Sequence, residues 1–267
     1  MSIKIVVLAK QVPDTRNVGP EAMTPEGTIN RSALPAVYNP EDLNALEMAL
    51  RVKEALPGSS VTVVTMGPPR AEEIIREAIY RGADNGFVLS DRRFAGADTL
   101  ATSYAISCAI KRLGHVDIVF GGRQAIDGDT AQVGPQVAEK MDIPQITYAE
   151  ELVAVSEKSI RIKRRLANGT EIVEAPLPVL VTVCGSAPRP RFRHAHLLLQ
   201  NRHIEIPIWT ADDVNPDFDR LGLSGSPTKV KKVDSVVLTQ KDNIQVENTQ
   251  DALNNLMSNL VTNHIIG

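Results

Sequence analysis

Apolar residues over the first 185 positions follow two rhythms. Short, dense runs rich in β-branched side chains occupy 3–9, 61–66, 86–89, 116–121 and 178–183, the pattern of buried strands. Between them the apolar positions recur at helical spacing. Leu43, Leu46 and Leu50 fall on one face of segment 41–55, and Ile74, Ile75, Ala78 and Ile79 on one face of the next. Leu100, Tyr104, Cys108 and Leu113 mark a third helix, behind an N-cap at Asp98. Strands alternating with helices predict βαβ units, and so an α/β fold: a mostly parallel sheet with flanking helices.

Two stretches depart from this alternation. Segment 10–38 holds no long periodic run, and Pro25-Glu26-Gly27-Thr28 predicts the turn of a small hairpin; a loop this long inside a compact domain is usually functional. Segment 185–267 opens on Pro188-Arg189-Pro190-Arg191 and stays basic through Arg202. It is then punctuated by Gly222, Gly225 and Pro227, and closes on a helical stripe of Leu253, Leu256 and Leu260. The division expected is an α/β domain over 1–185, followed over 186–267 by a docking segment and an extended arm with a terminal helix.

Composition narrows the classes. The 267 residues are 43% hydrophobic and 23% charged, which excludes disordered and fibrous chains and suits one large domain with an appendage. A net charge of -3 leaves no basic footprint for nucleic acid. No apolar run approaches the ~20 residues of a membrane span or the form of a signal peptide. Cys108 and Cys184 stand apart, as in a reducing compartment, so a cytoplasmic location is expected.

In open parallel sheets ligands bind beyond the carboxyl ends of the strands. Those ends read Ala9-Lys10-Gln11, Met66-Gly67-Pro68, Gly121-Gly122-Arg123 and Cys184-Gly185-Ser186. The strongest local motif is Gly121-Gly122-Arg123-Gln124-Ala125-Ile126-Asp127-Gly128-Asp129-Thr130-Ala131-Gln132-Val133-Gly134. It follows a strand and leads into a helix expected to start near Asp129, where free amides and Arg123 make an anion site. The competing reading gives Asp129 to capping, Asp127 to a turn and Arg123 to solvent. Asn39-Pro40-Glu41-Asp42 is a well-formed helix start, so Asn39 and Asp42 act either as cap and first-turn acid or as contacts to a ribose or adenine edge.

The absences are equally informative. No Gly-x-Gly-x-x-Gly, phosphate-loop lysine or nucleophile elbow is present. Asp127 and Asp129 lack further hard ligands, and His194 and His196, on one side of a possible strand, lack a third ligand, so no metal is expected. No catalytic acid, base or nucleophile stands out. The pattern is that of a ligand holder.

Taken together, these residues resemble the beta subunit of electron-transfer flavoproteins over essentially the whole chain. The likeness runs through Lys10-Gln11-Val12-Pro13-Asp14, Asn39-Pro40-Glu41-Asp42 with Ala45-Leu46-Glu47 and Ala49-Leu50, the stretch from Gly122 to Pro135, and Glu174 with Leu177-Pro178-Val179-Leu180. Ala167-Asn168-Gly169 departs from it, since the family usually carries an acid there. The resemblance implies a heterodimer with a flavin-carrying alpha subunit, and nucleotide contacts at Ala9, Asn39, Asp42, Met66 and the Arg123–Gly134 loop. It implies FAD in the bifurcating group and a structural AMP in conventional members. Small Gly128 and Thr130, together with Ile206-Pro207-Ile208-Trp209 and Gly222-Leu223, resemble the bifurcating version. There NADH is oxidised, and the electrons divide between a high-potential acceptor and ferredoxin or flavodoxin. The conventional version serves acyl-CoA-type dehydrogenases and a quinone oxidoreductase. Arg191, Phe192, Leu197, Leu198 and Leu199 fall where the family docks its dehydrogenase, though without its usual lysine-rich pattern, and the apolar Leu253, Leu256 and Leu260 stripe is expected against the alpha subunit.

Overall fold

The computed structural model describes residues 2–14, 35–229 and 245–266. The hairpin turn expected at 25–28 lies outside them. Strand β1 (Lys4–Ala9) is buried from its second residue onward, as a central parallel strand with helices on both faces must be. A two-stranded antiparallel ribbon, β2 (Gln11–Pro13) and β3 (Ala36–Tyr38), follows and delivers the chain to α1 (Pro40–Ala55). Next come β4 (Ser60–Met66), α2 (Glu72–Arg81), β5 (Asn85–Leu89), α3 (Thr99–Arg112), β6 (Ile118–Gly122) and α4 (Val133–Met141). The second half holds β7 (Gln145–Val155), β8 (Ser159–Leu166), β9 (Gly169–Pro176), β10 (Val179–Val183), α5 (Ala195–Asn201), β11 (Ile208–Trp209), α6 (Ala211–Val214) and α7 (Gln250–Thr262).

The strand order is β11-β5-β4-β1-β6-β10-β7-β8-β9, parallel from β11 through β7 and antiparallel across β8 and β9. From β1 the chain winds outward to β4 and β5, then crosses to the other side of β1 to lay down β6. The order therefore reverses between β1 and β6, and that is where an open parallel sheet presents a crevice. Alternation along β1 builds both layers. Ile5 and Val7 pack with Leu46 and Ile75 of α1 and α2, while Val6 and Leu8 pack with Ile110 and Val137 of α3 and α4.

The expected elements are present, with local differences. Asp98 caps α3, its carboxylate accepting from Leu100 and Ala101 amides at 2.9 and 3.0 Å. The buried face of α3, however, is Ala101, Ala105, Ile106, Ala109 and Ile110. Leu100 is exposed and Tyr104 and Cys108 are half-buried. Small residues face inward because α3 packs tightly on α4 and the sheet, so the larger side chains are turned to its margin. Ala167-Asn168 forms the turn of the β8–β9 hairpin, with Leu166 opposite Gly169.

After residue 185 much of the chain returns to the body. His194 and His196 lie at the start of α5, not on a strand: His194 is its N-cap, and its amide reaches Tyr80 O at 2.8 Å. Strand β11 extends the sheet beside β5, and Trp209 stacks on Phe87 with centroids 3.8 Å apart. Helix α7 is different: none of its residues is buried. No helix among the described residues is long and apolar enough to cross a membrane.

Candidate functional site

The N-terminus of α1 is built around the crevice. Asn39 occupies the cap position, yet its side chain makes no capping bond. It is fully buried and reaches across to the segment after β6, with Nδ2 donating to Gln124 O at 2.9 Å and Oδ1 accepting from Ile126 N at 3.2 Å. Glu41 Oε2 accepts from Gln124 N at 3.0 Å, and its Oε1 takes Arg123 Nη2 at 3.1 Å. Asp42 ties the ends of β1 and β6 together, accepting from Lys10 N at 2.8 Å and Gly122 N at 2.9 Å. Burial pushes the Asp42 carboxyl up to about 7, against the pull of those hydrogen bonds. Capping is therefore not what Asn39 does. The three polar side chains form a template for the backbone from Gly122 to Ile126. The sequence alone does not single out Glu41, since a first-turn acid is ordinary in a helix.

Glycine at 122 is required by this template. A Cβ there would collide with Asp42 Oδ1 and lie 2.8 Å from the Asp42 amide nitrogen. Gly134 likewise lets α4 start against β10, since its Cβ would stand 2.7 Å from Thr182 Cγ2. Gly128 differs from both: a Cβ there would meet nothing within 4 Å among the described residues.

The loop itself corrects one expectation. Helix α4 begins at Val133 rather than near Asp129. Asp129 and Ala131 have φ of 50° and 53°, a left-handed conformation that cannot belong to a right-handed helix. Asp129 N closes a turn onto Ala125 O at 2.9 Å, and its carboxylate accepts from Gln124 Nε2 at 2.8 Å. The uncapped helix start thus lies at Gln132-Val133-Gly134, where first-turn amides can meet an acceptor. Asp127 is bridged by Lys10 Nζ at 2.7 Å from the end of β1. Arg123 is no free fork. It pairs with Glu41, its amide donates to Val183 O at 2.8 Å, and its guanidinium lies 5.6 Å from the Tyr148 ring centroid.

Ala9 ends β1, and its register partner Thr65 precedes Met66 at the end of β4. Ala9, Met66, Asn39, Asp42 and the 123–134 loop therefore gather on one rim. Arg191, Phe192 and Leu197 to Leu199 lie elsewhere. Arg191 clasps Glu47 at 2.8 Å and Glu54 at 2.5 Å, roughly 12 and 22 Å along α1 from Asn39 at 1.5 Å rise per residue. That clasp anchors the segment, leaving Phe192 91% and Leu199 66% exposed. Among the described residues no group of three or more His, Cys, Asp or Glu is placed to hold a metal ion.

Fold and crevice place the chain in the class of open α/β proteins with a glycine-lined loop at the reversal of strand order. Comparison with known families makes this specific: the electron transfer flavoprotein domain matches residues 26–214. The electron transfer flavoprotein subunit beta of Thermoanaerobacterium thermosaccharolyticum is 45% identical over 266 residues, spanning 99% of this chain and 100% of that protein. Its counterpart in Clostridium acetobutylicum is 44% identical, again over 99% and 100% of the two chains. The caffeyl-CoA reductase-Etf complex subunit CarD of Acetobacterium woodii is 43% identical over 85% of this chain and 86% of its own. The chain belongs to the beta-subunit family of electron transfer flavoproteins.

Proposed function

We propose that this chain pairs with a flavin-carrying alpha subunit and that its crevice between β1 and β6 holds FAD. The observation that carries the reading is Gly128, which projects into open space within a loop otherwise fixed from below by Asn39, Glu41 and Asp42. Among the described residues no packing contact calls for glycine there, and the room suits a bulky ligand. The remaining donors fit a dinucleotide. The uncapped start of α4 suits a phosphate, and Ala9 and Met66 offer small or pliable rims. Lys10 neutralises Asp127, removing one charge that would repel an anion.

When bound, FAD supplies the acceptance of hydride from NADH and the single-electron transfers to the alpha-subunit flavin and to ferredoxin or flavodoxin. The chain's residues bind and orient; none acts as acid or base. The relative named for a caffeyl-CoA reductase complex supports an acyl-CoA-type partner as the high-potential acceptor. Docking of that partner is assigned to Phe192, Leu198 and Leu199, and pairing with the alpha subunit to α7. The apolar Leu253, Leu256, Met257 and Val261 of α7 stand exposed, as residues of an interface do before it forms.

The test is the nucleotide released from the purified alpha–beta complex. Two flavins per pair are expected in the parent. Gly128→Asp should leave folding intact, because a Cβ there meets no described atom within 4 Å, but reduce the count to one flavin. One flavin plus AMP in the parent would replace FAD by the conventional structural nucleotide.

A further inference from the structure

Tyr148 lies within β7 at a φ of 61°, a left-handed conformation that a bulky side chain adopts only when its surroundings hold it there. The pairing of β10 with β7 slips at this point: Val181 faces Ile146, whereas Val183 faces Ala149. Two residues of one strand thus span three of the other, which is a bulge, and bulges beside functional sites re-aim side chains. Tyr148 is 40% exposed, and the Arg123 guanidinium lies over its ring, 5.6 Å from the centroid. Arg123 is in turn fixed by Glu41.

The backbone of Tyr148 is tied to the loop through β10. Tyr148 N donates to Thr182 Oγ1 at 3.3 Å. The methyl of the same threonine is what Gly134 packs against at the loop's exit, and the next carbonyl, Val183 O, receives the amide of Arg123 at its entrance. Tyr148 is therefore tied to the same two residues of β10 on which both ends of the 123–134 loop rest. A ring needed only for the core would be buried without left-handed backbone. A surface position without a ligand would adopt this conformation at less cost with glycine or asparagine.

We infer that Tyr148 contacts the bound nucleotide directly, its ring backed on one face by the Arg123 guanidinium and offering the other as a platform for a flat heteroaromatic ring system. The inference rests on the proposed nucleotide reading and names a residue outside the 123–134 loop that selects the ligand. An electron-rich phenol face against an electron-poor flavin is a favourable stack.

Three variants test it in the full chain co-purified with its alpha subunit, stripped of nucleotide and titrated with FAD and with AMP. Tyr148→Gly suits the observed φ, so the fold is spared while the ring is lost. Tyr148→Leu keeps bulk without aromaticity, and Tyr148→Phe keeps the ring. FAD affinity should fall about tenfold to a hundredfold in the Gly and Leu variants and stay within about threefold in Phe. Fluorescence of the bound flavin should rise in Gly and Leu as the quenching phenol is removed, a change that a merely structural role would not produce. If the parent takes AMP and not FAD while the Gly variant loses AMP, the platform stands and the FAD reading falls. A parent that retains neither nucleotide overturns both. Unchanged affinity and fluorescence in Gly and Leu, or loss of subunit pairing with unchanged nucleotide binding, overturns the platform alone.

Discussion

Asn39→Ala should destabilise the chain by about 2–4 kcal/mol, since it strands two partners at once and a buried polar group left unpaired costs ~1–3 kcal/mol. Those partners are the carbonyl of Gln124 and the amide of Ile126. Their loss should release the loop from α1, so nucleotide retention by the complex should fall by more than the stability change alone accounts for. Asn39→Asp is the informative companion. It keeps an acceptor for Ile126 N but loses the donor to Gln124 O, and should fall between parent and alanine. Chemical denaturation with nucleotide quantified on the same samples is the measurement. An alanine variant as stable as the parent would return Asn39 to the role of an ordinary helix-entry residue.

Stability should also decline as pH rises from 5 to 8, and Asp42 is the group responsible. Its folded pKa, raised by burial from 3.8 to about 7, lies above the unfolded value. Between those values the native state holds a proton that the unfolded chain has released. The contribution is therefore fully present below 3.8 and lost as pH climbs through 7. At ~1.4 kcal/mol per pH unit it amounts to about 4 kcal/mol, of which about 3 is lost between pH 5 and 8. Carboxyls held low work in the opposite sense and at lower pH. Asp91, hydrogen-bonded by Arg93, and Glu150, hydrogen-bonded by Ser186, contribute stability that disappears only on acidification. Asp42→Asn should flatten the profile across this window, read as denaturant midpoints at constant slope. A parent whose midpoint does not move between pH 5 and 8 would contradict the assignment.

The alternation of strands and helices was legible because fully buried parallel strands leave dense β-branched runs such as Ile5-Val6-Val7-Leu8. The rim was legible because glycine collects where strands end. Its assembly was not, since Asn39 and Gln124 are neighbours only once β6 lies beside β1, and no local pattern encodes that crossing. The displaced start of α4 has the same origin. Asp129 has the chemistry of a cap, and nothing in Ala131 announces a left-handed backbone, a conformation imposed by the loop's fixed ends. The residues that mark α3 by spacing are not its buried face, because its alanines make the closest contacts. The β7–β9 meander is absent from the predicted strands, although Ile160 and Ile162 alternate with Arg161 and Lys163, a period of two on a strand with one covered face.

Strand β10 lies between β6 and β7, although it follows both in the chain. The meander of β7, β8 and β9 therefore has no hydrogen-bonded connection to the rest of the sheet until residues 179–183 enter the gap. A chain emerging during synthesis carries two incomplete blocks, each with an open parallel edge, and a single five-residue strand joins them. That strand also provides the Val183 carbonyl for Arg123 and the Thr182 hydroxyl for Tyr148. Closure of the sheet and completion of the rim are consequently one event, and the order of synthesis places it after every other long strand has been made.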